Sequence, residues 1–432
     1  CHTALKQIEK SFCGVKWYIE GDIKGFFDNI NHDVMIGILE ERINDARFIR
    51  LIRKFLNAGY IEDWEYFHTY NGTPQGGIIS PVLANIYLDK LDKYMAEYAA
   101  KFDRNARKEV NPQYRHYQRK KERAKKALKS AVSLEERKLL VEQIRKYDNL
   151  MLQTPAKNDM DCNYKRLKYV RYADDFLCGV IGSKEDAMTI KSDIKDFISD
   201  KLRLELSDEK TLITNARKPA KFLGFDIFIR RSNDLRKDKN GRTVRSLGHV
   251  PVLYLNYETM RKKLFDYKAA RIAVVNGKEV WKSIVRTYMI DLDDLEIVSQ
   301  FNAEIRGFYN YYSIANNSHV INSFYHIMSY SMYKTFARKY KSSVKKILTK
   351  YKKGGTFKVA YENSKGKMLC QSFYHDGFKR KKIVGAASCD TIPRTVTITG
   401  GRNSLMERLK LQVCELCGAT DKLEMHHVRK LK

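Results

Sequence analysis

Two adjacent carboxylates, Asp174 and Asp175, lie between two apolar segments rich in residues that favour β-strands. The segments 169–172 and 176–178 flank so short a break that the pattern predicts a strand, a tight turn and a returning strand. Neighbouring carboxylates repel one another unless a cation lies close by. Mg²⁺ prefers such oxygen ligands, together with water and substrate phosphates. An isolated Asp-Asp pair in a solvated turn is the commoner occurrence, so a metal site needs further support.

A third carboxylate has a similar setting upstream. Asp22 follows the apolar segment 17–21 and precedes a turn that contains Gly25 and two phenylalanines. Carboxylates that converge from two strand ends can hold two metal ions for in-line phosphoryl transfer. The three aspartates together therefore predict a metal-dependent phosphoryl-transfer site.

A glycine-rich segment, Gly72–Gly77, lies between the two carboxylate motifs and is followed by Ser80 and Pro81. Its glycine and proline content predicts a loop, and the apolar residues after it predict a helix. Glycine allows a backbone to approach a ligand closely, and the N–H groups at a helix start can bind phosphate. An ordinary turn before a core helix explains the segment equally well.

The chain of 432 residues carries 81 Lys and Arg against 51 Asp and Glu, a formal net charge of +30. This excess favours a polyphosphate partner, with nucleic acid preferred over an anionic membrane. The length predicts two or three domains. No apolar run approaches the roughly 20 residues of a membrane helix, so we predict a soluble protein without a membrane partner. Eight scattered cysteines indicate a reducing compartment rather than a disulfide framework.

The composition changes within 101–146, where basic residues far outnumber acidic ones. The segment 133–136 matches a capping box that would open a second helix, so the region predicts a charged helical hairpin. An RNA-facing arm and a merely solvated helical face both fit, and the excess of positive charge favours the arm. Upstream, the apolar spacing across 33–56 predicts one helix capped by Asp33.

The region from about 255 to 385 has helical periodicity, many tyrosines and no carboxylate cluster. Two apolar stripes at helical spacing predict two core helices. The stripes are Phe301, Ile305, Phe308, Tyr309 and Tyr312, and Tyr325, Met328, Met332, Phe336 and Tyr340. A core role is favoured over base-stacking platforms, although the neighbouring lysines could follow a phosphate backbone.

The last segment of the chain contains residues of the types that bind metals. Residues 386–405 are rich in Ser, Thr, Gly and Arg and predict a linker or a small DNA-binding segment. Cys414 and Cys417 then form a Cys-x-x-Cys pair, and His426 and His427 follow. Cysteine and histidine in such a pattern are typical of zinc ligands.

Together, the motifs resemble those of the reverse transcriptases encoded within group II introns. The resemblance rests on Tyr172–Asp175, on Gly21–Ile23 with Phe26–Asp28, and on Gly72–Gly77 with Ser80-Pro81, in this order and spacing. It covers nearly the whole chain. Arg306–Tyr312 resembles the maturase domain of that family, and the Cys-x-x-Cys and His-His tail resembles its HNH endonuclease.

The resemblance implies an α+β fold: a right-hand polymerase palm with partial fingers, an α-helical thumb-like maturase domain X, and the start of a small HNH-type zinc-knuckle module. The implied domains are fingers and palm at 1–245 with a basic helical insertion at about 100–150, domain X at 246–385, a linker or DNA-binding segment at 386–410, and the first part of the HNH domain at 411–432. Because the chain opens in mid-pattern and ends before a second cysteine pair, we expect family segments to precede and follow it.

The resemblance also assigns roles to individual residues. Asp22 and Asp174 would be bridging Mg²⁺ ligands, and Asp175 a supporting one. The other polymerase roles would fall to Phe27 as a steric gate against ribose, Gln75 and Gly76 at the nucleotide, Phe222, Leu223 and Gly224 at the primer end, and Lys210 as a proton donor to pyrophosphate. In the HNH module, His427 would be the general base, His426 a ligand of the catalytic metal, and Cys414 and Cys417 half of a site for Zn²⁺ or another divalent metal.

The implied function is that of an RNA-directed DNA polymerase with two Mg²⁺ ions and deoxynucleoside triphosphate substrates. It would also bind its own group II intron RNA, assist splicing and support mobility by target-primed reverse transcription. The expected partners are the intron RNA, a template–primer duplex and target DNA. The expected location is a bacterial cytoplasm, with an organelle as the alternative. A homodimer is possible. Endonuclease activity is expected only with residues beyond Lys432.

Two alternatives are weighed against this interpretation. One is a maturase that binds RNA without catalysis, and the intact aspartates argue against it. The other is a domesticated reverse transcriptase of a retron or defence system, and the maturase-like region and the Cys/His tail argue against that.

Overall fold

The structure is a computed structural model, and it describes residues 1–62, 65–67, 69–73, 77, 79–158, 161–230, 234–245, 248–362 and 368–382. The chain divides into two compact units, Cys1–Ile383 and Val384–Lys432. All of the described residues lie in the first unit. This unit mixes helices with sheets along its length, which confirms the predicted α+β class.

The helices are distributed over the whole of the first unit. They are α1 (His2–Ser11), α2 (Phe26–Asn29), α3 (His32–Glu40), α4 (Ala46–Leu56), α5 (Ser80–Phe102), α6 (Pro112–Ser130), α7 (Leu134–Gln153), α8 (Lys184–Leu202), α9 (Tyr257–Asp266), α10 (Asp294–Tyr312), α11 (Ile321–Lys339) and α12 (Val344–Tyr351). The prediction of one helix over 33–56 with Asp33 as its cap is wrong. Asn31 caps α3 and Asp45 caps α4, and each side chain accepts hydrogen bonds from first-turn N–H groups.

The strands form several small sheets. They are β1 (Trp17–Gly21), β2 (Tyr60–Glu62), β3 (Glu65–Phe67), β4 (Arg166–Tyr172), β5 (Asp175–Ile181), β6 (Leu212–Asn215), β7 (Ala220–Phe222), β8 (Phe225–Arg230), β9 (Leu235–Lys237), β10 (Thr243–Arg245), β11 (Val250–Leu255), β12 (Ala270–Val275), β13 (Lys278–Ser283), β14 (Lys352–Lys353), β15 (Thr356–Glu362) and β16 (Met368–Ser372).

Four antiparallel strands in the order β4-β5-β1-β6 form the sheet that carries the aspartates. Gly21 at the end of β1 lies opposite Phe176 at the start of β5. β4 and β5 form the hairpin predicted around Asp174 and Asp175. Because β1 and β5 run antiparallel, the end of one and the start of the other lie at the same edge of the sheet, which brings Asp22 to the hairpin.

The two faces of this sheet contribute to two separate hydrophobic cores, since successive side chains of a strand point to opposite faces. Ile19 and Phe176 pack in one core with residues of α3, α5 and α8. Tyr18 and Leu177 pack in the other with α1, α10 and α11. The sheet is therefore covered on both faces, which explains the unbroken apolar run of β5.

Helices α6 and α7 pack against each other as the predicted hairpin, which we call the helical arm (residues 112–153). α7 begins directly after Ser133, but the Ser133 side chain makes no capping hydrogen bond, so the predicted capping box is wrong. The first turn of α7 is exposed, and water can satisfy its free N–H groups.

The C-terminal part of the described chain combines helices with two sheets. Every residue of the first predicted stripe is buried on α10, and Met328, Met332 and Phe336 of the second are buried on α11, so both core helices are confirmed. An entirely α-helical domain X is wrong, because β12 pairs with β13 and β15 lies between β14 and β16. The β12–β13 hairpin is largely exposed, and its two-residue turn, Asn276-Gly277, is the hairpin signal that the prediction overlooked. No helix in the described part of the chain is long and apolar enough to cross a membrane.

Candidate active site

The Asp174–Asp175 hairpin closes with a loop of only two residues, Ala173 and Asp174, because Tyr172 pairs with Asp175. Ala173 has a φ of +55°, which is unfavourable for a residue with a Cβ. Arg171 stabilises this turn by donating a 2.8 Å hydrogen bond from Nη1 to the Ala173 carbonyl. The turn is therefore held by a specific side chain.

Glycine at position 21 allows the two carboxylate motifs to meet. A Cβ on Gly21 would lie 2.0 Å from Cζ of Phe176, so only glycine leaves room for this ring against β1. The close packing brings the carboxylates of Asp22 and Asp175 within hydrogen-bonding reach. Close packing thus explains why the Gly-Asp-Ile motif has glycine at its first position, independently of any ligand.

The electrostatics of the site reflect this crowding. Burial, and after it the nearby carboxylates of Asp174 and Asp22, together raise the pKa of Asp175 to about 6. The Lys210 ammonium lies 2.8 Å from Oδ2 of Asp22. This contact raises the pKa of Lys210. A cationic group thus already occupies one oxygen of the acidic cluster.

The donor set fits a divalent cation in type, because three carboxylates converge where their mutual repulsion favours positive charge. Within the part of the chain that is described, no group of three or more His, Cys, Asp or Glu side chains is arranged so that it could hold a metal ion. The Lys210 ammonium pairs with one of the three carboxylates, that of Asp22. Asp22, Asp174 and Asp175 stay the residues predicted to hold Mg²⁺.

Two cavities adjoin the aspartates, and Asp22 and Lys210 line both. One, of about 550 Å³, is also lined by Asp174 and Phe27. The other, of about 470 Å³, is lined by Asp175 and by the predicted primer residues Phe222, Leu223 and Gly224. Phe27 and the predicted primer residues therefore line two cavities that share Asp22 and Lys210. A third cavity, of about 600 Å³, lies at the far end of β1 and contains none of the predicted site residues.

Phe27 lies on the short helix α2 and is partly buried against the core. Its carbonyl accepts a 2.7 Å hydrogen bond from the N–H of Thr73, so the start of the glycine-rich loop is fixed beside it. Gly72 has a φ of +84°, and a Cβ there would lie 2.5 Å from the Phe27 carbonyl oxygen. Gln75 and Gly76, predicted to contact the nucleotide, lie outside the described residues.

The predicted primer residues form a tight turn between β7 and β8. Leu223 and Gly224 have φ values of +50° and +72°. Tyr311 of α10 donates a 2.9 Å hydrogen bond to the Leu223 carbonyl, and a Cβ on Gly224 would lie 2.8 Å from Oη of Tyr312. On the palm side, Glu20 accepts a 2.8 Å hydrogen bond from the N–H of Lys221. The turn is thus held jointly by β1 and by the C-terminal helices.

Sequence reasoning missed the residues that support the hairpin from α5. Asp92 accepts hydrogen bonds from Nε and Nη2 of Arg171, at 2.8 and 2.6 Å, and a third from the Tyr169 hydroxyl at 2.9 Å. Burial raises the pKa of Tyr169, and Asp92 raises it further. Nothing local marks this cluster, because its partners lie 77 and 79 residues apart in the sequence.

The residues predicted for the HNH module, Cys414, Cys417, His426 and His427, lie outside the described residues.

Comparisons with known proteins match three parts of the chain. The reverse transcriptase (RNA-dependent DNA polymerase) family matches residues 4–116, the type II intron maturase family matches 262–385, and an AI2M/AI1M-like HNH endonuclease family matches 414–432. The group II intron-encoded protein LtrA of Lactococcus lactis subsp. cremoris is 42% identical over 436 residues, which cover 100% of this chain and 71% of LtrA. The chain belongs to the group II intron-encoded reverse transcriptases.

Other relatives are more distant. The putative COX1/OXI3 intron 1 protein of Saccharomyces cerevisiae is 31% identical over 454 residues, covering 100% of this chain and 51% of that protein. Nuclear intron maturase 2 of Arabidopsis thaliana, a mitochondrial protein, is 24% identical over an alignment that covers 51% of this chain and 32% of the Arabidopsis protein. Apo telomerase from Candida tropicalis aligns over 78% of this chain and 44% of its own, with 10% identity and a TM-score of 0.32, too low to support an argument.

Membership of this family makes the chain an RNA-directed DNA polymerase with a role in splicing, as the resemblance implied. RNA is therefore among its partners, and reverse transcriptase domains generally use divalent metal ions. The boundaries at 245, 385 and 410 and the roles of individual site residues stay predictions.

Proposed function

We propose that this reverse transcriptase copies the RNA of its own group II intron into DNA at a Mg²⁺ site formed by Asp22, Asp174 and Asp175. The observation that carries the proposal is the meeting of these carboxylates at one sheet edge, between two cavities of nucleotide size. In the right-hand description, the β4-β5-β1-β6 sheet is the palm and the region around α10 to α12 is the thumb.

Different residues of the chain would serve different parts of the nucleotidyl transfer reaction. Metal ions at the aspartates would lower the pKa of the primer 3′-hydroxyl and neutralise the charge of the triphosphate. Phe27 would lie against the sugar of the incoming nucleotide and exclude a 2′-hydroxyl, while Gln75 and Gly76 would line the same side. Phe222, Leu223 and Gly224 would position the primer end from the opposite cavity.

Lys210 would have two successive contacts. In the described structure its ammonium pairs with Asp22, so it competes with a cation for the same carboxylate. Its side chain is 70% exposed and therefore free to swing away. Once released, Nζ can donate a proton to the departing pyrophosphate.

The remaining parts of the proposal concern the biology of the intron. The chain would bind its intron RNA, assist its splicing and then use a cleaved DNA strand as primer. Cys414 and Cys417 would be zinc ligands, with His426 and His427 serving the nuclease. The described cysteines are all unpaired, which suits the reducing cytoplasm of a bacterium.

Primer extension on a short RNA template tests the polymerase site. Replacing Asp174 and Asp175 together by alanine should lower the extension rate by at least ~1,000-fold, because the charge-stabilising ligands are lost. Binding of structured RNA should stay within about twofold, since phosphates are bound elsewhere. Asp89→Ala, which removes an exposed carboxylate of α5 that pairs with Lys93, is the matched control and should extend normally.

Two results would overturn this assignment. One is extension by the double variant at a rate comparable with that of the wild type. The other is the joint loss of extension and RNA binding in a variant that still melts cooperatively, which would mean that the hairpin is a structural element of the RNA site.

A further inference from the structure

Positive charge in the helical arm is concentrated on one of its two helices. α6 carries eight Lys and Arg and a single acidic residue, Glu122, whereas α7 carries four basic and four acidic residues. Two helices of nearly equal length that pack against each other need no such difference to be stable. The asymmetry points to a partner that contacts α6 alone.

Four of the eight basic side chains of α6 form a stripe on the face turned away from α7. The side that packs on α7 is marked by Ala124, the one fully buried residue of the helix, and by Lys121, which pairs with Asp148 of α7. At 100° per residue, Arg115, Arg119, Arg123 and Lys126 fall within about 80° of one another on the opposite face. All four side chains are exposed and have no hydrogen-bond or ion-pair partner among the described residues.

We propose that this stripe of Arg115, Arg119, Arg123 and Lys126 binds the phosphate backbone of duplex RNA. The inference rests on the proposed function, which supplies a structured RNA as partner. Three of the four side chains are arginines, whose planar guanidinium groups match phosphate oxygens in a bidentate manner. Residues four apart on a helix are separated by about 6 Å along its axis, so the stripe presents a regular row of positive charge some 16 Å long.

Duplex RNA fits this row better than a single strand or an acidic protein. Duplex RNA is bound through phosphates, 2′-hydroxyls and overall shape, because its base edges are poorly accessible. α6 offers cations on its outer face but few aromatic side chains for stacking unpaired bases: Tyr114 and Tyr117 are both partly buried. An acidic protein surface seldom repeats its charge so regularly as a nucleic acid backbone does.

The arm is fixed firmly enough to hold such an RNA at a defined place. Its two ends are joined by backbone hydrogen bonds outside the helices: Arg104 N–H to Lys165, Asn111 N–H to Ala156, and Asn158 N–H to Glu109. Arg166 adds a 2.6 Å hydrogen bond from Nη1 to the Arg104 carbonyl. β4 starts at Arg166 and ends at the aspartate hairpin, so about 20 Å of strand separate the base of the arm from the catalytic carboxylates.

Two matched variants of the whole chain test the proposal. In the first, the four stripe residues are replaced by glutamine; in the second, Arg137, Lys138, Arg145 and Lys146 of α7 are replaced in the same way. Both variants lose the same charge and keep good helix formers. The probe is a labelled RNA hairpin, and its affinity is measured by fluorescence anisotropy over a range of salt concentrations, with a DNA hairpin of the same length for comparison.

We expect the α6 variant to bind the RNA hairpin at least ~10-fold more weakly and to lower the log–log salt slope by about 3 to 4, since each phosphate contact contributes about 0.9. The α7 variant should change the slope by less than about 1. Equal losses in the two variants would overturn the proposal, as would an unchanged α6 variant or an equal loss on the DNA hairpin.

Primer extension on a short unstructured template separates this inference from the proposed function. The α6 variant should extend such a primer at the wild-type rate, because the arm is remote from the aspartates. If the wild-type chain binds no RNA hairpin, both the stripe and the RNA partner of the proposed function are wrong. If the wild type binds and the α6 variant binds equally well, only the stripe is wrong.

Discussion

The aspartate hairpin and the helical arm lie at opposite ends of the same strand, β4, and they are stabilised in opposite ways. The hairpin end is packed on both faces of the sheet, and Phe176 and Leu177 are almost completely buried. In the arm, Ala124 is the one residue of α6 that is buried, and α7 has none. The hairpin is therefore fixed by packing and by specific side chains, whereas the arm is fixed mainly by backbone hydrogen bonds at its base.

The difference indicates at which positions a substitution is tolerated. Charges near the hairpin are partly buried and coupled to one another, so removing one of them alters the geometry of the rest. Charges on the arm face water and act on a partner through their number and spacing. A substitution near the hairpin can therefore be compared with a similar substitution elsewhere, and only the one near the hairpin should lower primer extension.

The largest contrast is expected between two aspartates that pair with basic residues. Asp92→Ala removes the partner of Arg171, whose side chain is only 9% exposed, and should lower extension by about 10- to 100-fold because the aspartate turn loses its support. We expect a loss of about 1–3 kcal/mol in the free energy of unfolding.

Asp148→Ala in the arm removes the partner of Lys121 and is the matched control. It should change extension by less than about twofold, because surface ion pairs contribute little. Steady-state primer extension and thermal melting measure both variants, and equal effects of the two would contradict the contrast.

A second contrast concerns packing at the catalytic edge. Gly21→Ala would place a methyl group on the Phe176 ring and should cost about 1–3 kcal/mol, with extension reduced because Asp22 shifts. Gly37→Ala in α3 has no neighbouring atom within 4 Å and should stabilise the chain by about 0.5–1 kcal/mol. Denaturant unfolding distinguishes the two, and a neutral Gly21→Ala would remove the packing explanation of the motif.

The sequence predicted the catalytic residues of the site better than the residues that hold them in place. The aspartate hairpin, the end of β1 and the two core helices of the C-terminal region follow from local patterns of apolar residues. The Asp92–Arg171 pair and the contacts of Tyr311 and Tyr312 with the primer turn join distant segments, so no local pattern reveals them. The break between α3 and α4 has a local signal that the prediction overlooked, the largely polar segment 40–45 that ends in Asn44 and the cap residue Asp45.

A third, smaller contrast separates backbone strain from contact with α10. Gly224 and Gly241 have nearly the same φ, +72° and +74°, but only the Cβ at 224 would approach another group, Tyr312 Oη. Both alanine variants should lose about 1–2 kcal/mol from strain. Only Gly224→Ala should raise the KM for primer, by about 3- to 10-fold, because the turn must move. Equal KM values would show that the tyrosine contact is irrelevant.

The smallest effect on extension with deoxynucleotides is expected at Phe27. Phe27→Ala should leave extension with deoxynucleotides within about threefold and raise the incorporation of ribonucleotides by about 10-fold or more, since a steric clash with the 2′-hydroxyl is removed. Parallel reactions with dATP and ATP measure the ratio. Loss of both activities together would assign Phe27 to the core alone.

The most direct test of the central claim is a Mn²⁺ titration followed by electron paramagnetic resonance, with the chain bound to template, chain-terminated primer and nucleotide. The wild type should bind Mn²⁺ at the aspartates, and Asp22→Asn should bind it at least ~10-fold more weakly. Lys210→Gln should bind Mn²⁺ as tightly as the wild type or more so, because the competing ammonium is gone. Equal Mn²⁺ affinity in the wild type and Asp22→Asn would contradict the account.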